Sequence, residues 1–290
     1  MSSTDQQVSY FIPDPSPWPI IGMVSLLTTL IGAALAMNGV VVGKFVVFGG
    51  LLLFAYLLYG WFRDVISENL SDKYNKQVDR SFRMGMFWFI ASEVFFFLAF
   101  FGALFYIRNI ALPWLGGEGY LSSTKELLYN QFDPVWPSHG PGELGGSFTP
   151  MGAWGIPAIN TLLLLSSGAT ITWAHWGLKL NNQKTLVRGL IATITLGLLF
   201  VVFQAYEYIH AYEELNLTLR SGIYGSTFYM LTGFHGFHVS MGAIMLMSIL
   251  GRSLKGHFSA HNHFAFEAVA WYWHFVDVVW LGLFIFVYWF

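Results

Sequence analysis

Met84-Gly-Met-Phe-Trp-Phe-Ile-Ala-Ser-Glu-Val-Phe-Phe-Phe-Leu-Ala-Phe-Phe-Gly-Ala-Leu-Phe-Tyr-Ile107 has Glu93 as its single acidic or basic residue. A helix crossing the roughly 30 Å hydrocarbon core of a bilayer needs about 20 predominantly apolar residues, and this stretch exceeds that length. Six further stretches meet the same criterion: Pro19 to Met37, Phe45 to Phe62, Pro157 to Leu178, Gly189 to His210, Thr227 to Leu250 and Phe264 to Trp289. The expected fold is therefore all-α, a polytopic membrane protein of seven transmembrane helices.

Composition agrees with that reading. Of 290 residues, 55% are hydrophobic and only 10% charged, against roughly 25% charged in a soluble globular protein. A net charge of −2 offers no basic footprint for nucleic acid. With no cysteine, disulfides, thiolate zinc sites, iron–sulfur clusters and thiolate-bridged copper are excluded. Any metal has to rest on His and carboxylate. All ten prolines fall before residue 20 or between 113 and 157, outside the interiors of the expected spans, with Pro19 and Pro157 placed where helices begin. The proline-alternating run Phe11 to Pro19 reads as an extended lead-in that brings Trp18 to the interface. The N-terminal stretch lacks the basic start of a secretory signal.

No fixed-period repeat is visible, so the chain reads as one integral-membrane domain, residues 1–290. It divides into the first two helices at 19–62, a charge-rich cytoplasmic connection at 63–83, and a five-helix bundle at 84–290 with an outer-surface loop at 108–156. With the N-terminus in the cytoplasm, the connections on that side carry Arg63, Lys73, Lys76, Arg80, Arg83, Lys179, Lys184, Arg188, Arg252 and Lys255. The other side holds Lys44, Arg108, Lys125 and Arg220. This asymmetry predicts N-inside and C-outside.

Ionisable groups inside a span face the bundle interior, pair with one another or line a path for ions. Glu93 has no basic residue within nine positions, so its partner must come from another helix, and it is expected to be neutral or to share a proton. Two readings stand, a proton-linked carboxyl and a neutral acid joining helices. His235 and His238 stand at i and i+3, on one helix face. They suit packing by hydrogen bonds, pairing with Glu93, or metal ligation if further ligands exist elsewhere. In the seventh span Glu267, Trp271 and His274 form one stripe, and His274 with Asp277 is a candidate His–carboxylate pair, structural or proton-shuttling. Trp61 and Arg63 at the end of the second span, and Arg252, Lys255 and His257 after the sixth, mix basic and aromatic groups at headgroup depth. That pattern fits anionic lipid or ordinary positive-inside anchoring. His257, His261 and His263 are a weaker candidate for a metal-binding loop. No P-loop or HExxH motif and no intramembrane row of Arg or Lys is present.

Several motifs resemble subunit III of the haem-copper cytochrome c oxidases, in the bacterial form. They are Pro15-Ser-Pro-Trp-Pro-Ile-Ile-Gly22, Trp61-Phe-Arg-Asp-Val65, Ser92-Glu-Val-Phe-Phe96, Thr172-Trp-Ala-His175, Gln204-Ala-Tyr-Glu-Tyr208, Gly233-Phe-His-Gly-Phe-His-Val239 and Phe266-Glu-Ala-Val-Ala-Trp-Tyr-Trp-His-Phe-Val-Asp-Val-Val-Trp280. The resemblance implies two helices set apart from five by a cleft holding phospholipid, in a bacterial inner membrane. It implies a non-catalytic subunit, without redox cofactor, that packs on subunit I. Haem and copper belong to subunits I and II, and cytochrome c is reached only through other subunits. The implied role is to support proton uptake into subunit I and to protect the enzyme against turnover inactivation. Glu93 matches the family's carbodiimide-reactive glutamate, and His238 a histidine expected beside it. For lipid, the resemblance carries over Trp61, Arg63, Glu68, Arg252, Lys255, His257 and Trp271. Ser67, Asn75 and Lys76 depart from basic or histidine positions in some relatives, and the segment 108–155 lacks a matching motif. The alternatives are subunit III of a quinol oxidase, which commonly lacks the first two spans, and an independent proton-coupled transporter, which would be expected to show inverted repeats.

Overall fold

The structure, a computed structural model, describes residues 11–119, 122–142 and 146–289. The chain termini and two short pieces of the expected outer loop lie outside the described residues. Among the described residues, seven helices are long and apolar enough to cross a membrane. They are α1 (Trp18–Met37), α2 (Val42–Leu70), α3 (Lys76–Tyr106), α6 (Ile156–Lys179), α7 (Gln183–Glu213), α8 (Gly222–Leu254) and α9 (Phe264–Leu283). Between them lie two short helices, α4 (Leu112–Leu115) and α5 (Ser122–Leu128), and π-helical turns follow α3 at Ile107–Ala111 and α9 at Phe284–Trp289.

Pro19 and Pro157 open α1 and α6, positions where a missing N–H costs no helical bond. Two boundaries differ from the sequence expectation. The segment 63–83 is not an open connection: α2 continues to Leu70 and α3 begins at Lys76, leaving a turn at residues 71–75. A hydropathy criterion measures the hydrocarbon core, whereas a helix runs on into the headgroup layer wherever its charges meet water. Here Asn75 Oδ1 accepts the Val78 N–H at 3.0 Å, and Asp79 sits in the first turn, where a negative charge suits the helix dipole. At the other end, the third span does not stop at Ile107. The π turn carries the helical path on to Leu115, and Pro113 is accommodated at the start of α4.

The described residues fall into two compact units that part between Phe82 and Arg83. In the first, α1 and α2 run antiparallel at close range. A Cβ on Gly32 would stand 2.5 Å from the Val47 nitrogen, and one on Gly50 would stand 2.7 Å from the Thr29 nitrogen. Small residues allow such backbone approach where lipid offers no hydrophobic drive. Trp18 donates its indole N–H to Asp64 at 2.7 Å.

In the second unit α9 is the axis. Trp273 and Trp280 are both fully buried, and each donates its indole N–H to α6: Trp273 to Ser167 Oγ at 2.8 Å and Trp280 to Thr161 Oγ1 at 2.9 Å. The Trp273 ring fits against Gly197 of α7 and Gly242 of α8, where added Cβ atoms would come within 2.5 and 2.8 Å of it. The long connection folds over the start of α8. Tyr224 N–H donates to the Ser138 carbonyl at 3.2 Å, Phe148 stacks on Tyr224 at 5.3 Å, and the Arg108 guanidinium lies 5.3 Å from the Trp136 ring centre.

α6 and α7 also meet backbone to backbone. A Cβ on Gly189 would stand 2.7 Å from Ala174 Cβ and 2.9 Å from the Ala174 nitrogen. Gly189→Val should therefore force these helices apart and destabilise the unit by about 1–3 kcal/mol. Thermal unfolding followed by circular dichroism checks this, and an unchanged midpoint would refute the close approach.

Candidate functional site

Among the described residues of the second unit, three polar clusters lie partly or fully inside the bundle. The first joins α3 to α8. Glu93 Oε2 and His238 Nε2 are 2.7 Å apart, and His238 Nδ1 is 2.6 Å from the Phe234 carbonyl. A carbonyl only accepts, so Nδ1 carries a hydrogen and the neutral ring leaves Nε2 as an acceptor. Contact with Glu93 then requires one more proton between the two groups, on the carboxyl or on the ring. Phe97 and Phe96 pack at 4.9 and 5.8 Å from the imidazole, and the Tyr272 hydroxyl donates to the His238 carbonyl at 3.3 Å. The pair is thus walled by aromatic rings.

His235 does not join it. Although one turn from His238, it is fully buried, with Nε2 3.1 Å from the Val276 carbonyl and its ring beside Trp280 and Phe200. It packs α8 on α9.

The second cluster stands where α9 begins. Glu267 forms an ion pair with Arg83, and its Oε1 lies 3.3 Å from His263 Nε2 and 3.6 Å from His175 Nε2. His263 Nδ1 is 3.0 Å from the Ser259 carbonyl, so here too the neutral ring turns its lone pair toward the carboxylate. Among the described residues, His175, His263 and Glu267 are the group of three donors close enough to share one ion, within 4.8 Å of one another. The loop candidate His257, His261 and His263 is not brought together in this way; His263 turns instead to α9 and α6. Glu267, Trp271 and His274 all lie on the continuous helix α9. His274 is 46% exposed, 3.8 Å from Asp277 Oδ2 and 3.4 Å from Thr172 Oγ1. Asp277 is buried against Gly168, where any Cβ would come within 2.5 Å of its carboxylate.

The third cluster was not anticipated. Glu207 of α7 is fully buried, and the Tyr288 hydroxyl donates to its Oε1 at 2.5 Å. The criterion that singled out Glu93, an acid inside an apolar run, applies equally to Glu207 within Gly189 to His210.

The lipid candidates lie at helix ends. Trp61 and Arg63 of α2 are exposed, and Glu68 accepts the Tyr74 hydroxyl at 2.7 Å; burial, reinforced by that carboxylate, holds the Tyr74 phenol well above its ordinary range. In the last turn of α8 the Arg252 guanidinium lies 4.5 Å from the Phe258 ring centre; just beyond it Lys255 is exposed and His257 is partly covered. Desolvation and then the charges of Arg252 and Lys255 hold His257 below its ordinary value. Trp271 lines an apolar groove of about 530 Å³ with Phe87, Ile90, Ala91, Val94 and Phe95.

A family model described as cytochrome c oxidase subunit III matches residues 8–118 and 131–290. The chain belongs to that family. It is 41% identical over 288 residues to cytochrome c oxidase subunit 3 of Marchantia polymorpha, covering 99% of this chain and 98% of the relative. The Triticum aestivum subunit is 41% identical over 285 residues, with 98% and 97% covered. The Pongo abelii subunit is 40% identical over 285 residues, with 98% of each covered. Family membership makes the chain a non-catalytic subunit of a respiratory oxidase. Within the long connection, the family model leaves only 119–130 unmatched.

Two outcomes test this geometry. Glu93→Gln keeps a donor for His238 Nε2, whereas Glu93→Ala strands it, so the alanine variant should be less stable by about 1–3 kcal/mol; equal melting of the two would refute the shared-proton contact. Since its neighbours hold His257 below the ordinary value of about 6.5, the ring is neutral at pH 7 and gains charge only on further acidification. Its titration, followed by NMR of labelled histidine, should have a midpoint under that value; one at or above it would refute the combined effect of desolvation and of the Arg252 and Lys255 charges.

Proposed function

We propose that this chain is subunit III of a proton-pumping haem-copper cytochrome c oxidase, supporting proton uptake by the catalytic subunit and protecting it during turnover. The observation that carries this reading is the family match along nearly the whole chain. Subunit I is the direct packing partner, with subunit II in the same complex, and haem and copper reside in those partners. The proposed location is the bacterial plasma membrane, from the motif resemblance, with the N-terminus inside on the strength of the basic-residue asymmetry; the named relatives are from plants and animals. The two-plus-five arrangement with a phospholipid cleft belongs to the same proposal. Its support is the apolar groove beside Trp271, of a size and lining suited to acyl chains, together with the exposed Trp61 and Arg63 and the cationic end of α8 at Arg252 and Lys255. Glu93 and His238, joined through one proton, are the proposed proton-linked pair, and His274 with Asp277 is a second candidate.

Purification from the native membrane in mild detergent tests the assignment. Visible spectra should show haem in the complex and none in the separated chain, and a hydrophobic carbodiimide should label the chain but not its Glu93→Ala variant. Colour retained by the separated chain, or a colourless preparation without partners, would overturn the assignment; labelling that survives Glu93→Ala would place the reactive carboxyl elsewhere.

A further inference from the structure

The function proposed above does not use Glu207. This carboxyl is 0% exposed, and its two oxygens differ: Oε1 accepts from Tyr288, while Oε2 meets no hydrogen-bond donor among the described residues. Leaving a buried polar atom unpaired costs about 1–3 kcal/mol, and more when it is charged. Proteins commonly satisfy such atoms with ordered water.

The surroundings have room for it. Glu207 lines a cavity of about 280 Å³ whose other walls include Met151, Gly152, Trp154, Ile156 and His210. A water molecule takes about 30 Å³ in the liquid, so several fit. The opening turn of α6 forms part of the same wall and has no side-chain cap, which leaves its first N–H groups to seek other acceptors. At the rim, His210 Nδ1 is 3.1 Å from Glu214 Oε2, and Glu214 is 69% exposed. Inward from Glu207, Gln204 stands beside the hydroxyls of Tyr288 and Tyr208, and the Tyr208 and Thr232 hydroxyls are 2.8 Å apart. Polar groups therefore run from an exposed ion pair, past a water-sized cavity, to a buried acid and a short hydroxyl chain.

We propose that Glu207 is a proton-binding site at the base of a hydrated inlet, its ligands being water and an exchangeable proton supplied through the His210–Glu214 pair at the rim. The transfer balances simply: imidazolium or hydronium gives up a proton and becomes imidazole or water, and the Glu207 carboxylate becomes the acid at Oε2. Tyr288 keeps its hydrogen bond to Oε1 in both states. The titratable groups around Glu207 are Tyr288 from the final segment, Tyr208 and His210 from α7, and Tyr224 and Tyr229 from α8. α6 contributes Ile156 and Pro157 at this level and no charge. On the proposed orientation the inlet opens on the outer side of the membrane, and it is independent of Glu93.

Infrared spectra of the intact oxidase complex, taken as H₂O is replaced by D₂O, test the site. A carboxylic C=O band missing from Glu207→Gln should downshift on mixing, ahead of the minutes-to-hours exchange that follows local opening of a dry interior. Gly152 lines the cavity, and its Cβ direction is free of neighbours. Gly152→Leu should fill the inlet and slow the shift by about tenfold or more, toward the local-opening limit. A Glu207-dependent band that shifts only over hours would mean a dry site, and no Glu207-dependent band at any pH would mean that no proton is held; either overturns the proposal. So does an unchanged exchange rate in Gly152→Leu. If Glu207→Gln fails to assemble, Glu207→Asp, which moves the band instead of removing it, identifies it, and the Gly152→Leu comparison decides.

Discussion

The indole of Trp273 donates to Ser167 across the α6–α9 contact, and its ring occupies a slot bounded by Gly197 and Gly242. Four helices thus meet at one side chain. In lipid, burial of apolar surface does little to draw helices together, because the tails are as apolar as leucine. Position has to come from close packing and from hydrogen bonds that no water can replace. Trp280 repeats the arrangement nearer the other end of α9, bonding Thr161 of α6. The two ties fix the rotation of α9, and with it the direction of every polar residue it carries: Glu267 toward Arg83, Asp277 toward Gly168, and Trp271 into the apolar groove.

The same constraint shapes the acids. Each acid of the three clusters has a partner on another element: Glu93 with His238, Glu267 with Arg83 and the two histidines, and Glu207 with Tyr288. The pairings differ in kind. Arg83 is a permanent cation, so Glu267 belongs to an ion pair with histidines at its edge. Glu93 and His238 require a single shared proton. Tyr288 supplies only a neutral donor to Glu207, leaving the second oxygen to other company. One rule, that charge at membrane depth must be matched, has three chemical solutions in one bundle.

Much of this was legible in the sequence. Run length identified the seven spans, and proline marked the starts of α1 and α6. Glu93 stood out because nothing nearby in sequence could neutralise it. What escaped was three-dimensional. The helices run past the hydrocarbon boundary at residues 63–83 and 108–115, because hydropathy senses the solvent and not the backbone bonds. His235 and His238 share a helix face in projection, but a step of three residues turns one toward α9 and the other toward α3. Periodicity gives the face of α9 on which Glu267 stands, but it cannot reveal that Arg83 and His175 stand opposite. Glu207 was passed over within its motif, although the test applied to Glu93 would have selected it.

The Arg83–Glu267 pair joins residues 184 positions apart in the chain. At translation speeds of 5–20 residues per second, Arg83 emerges roughly ten to forty seconds before its partner exists. His238, 145 positions after Glu93, arrives late as well. The cross-bundle ties of α9, from Glu267 to Arg83 and from Trp273 and Trp280 to α6, form only once the last helix has been made. In time as well as in space, the polar ties are thus the final contacts that the growing chain can complete.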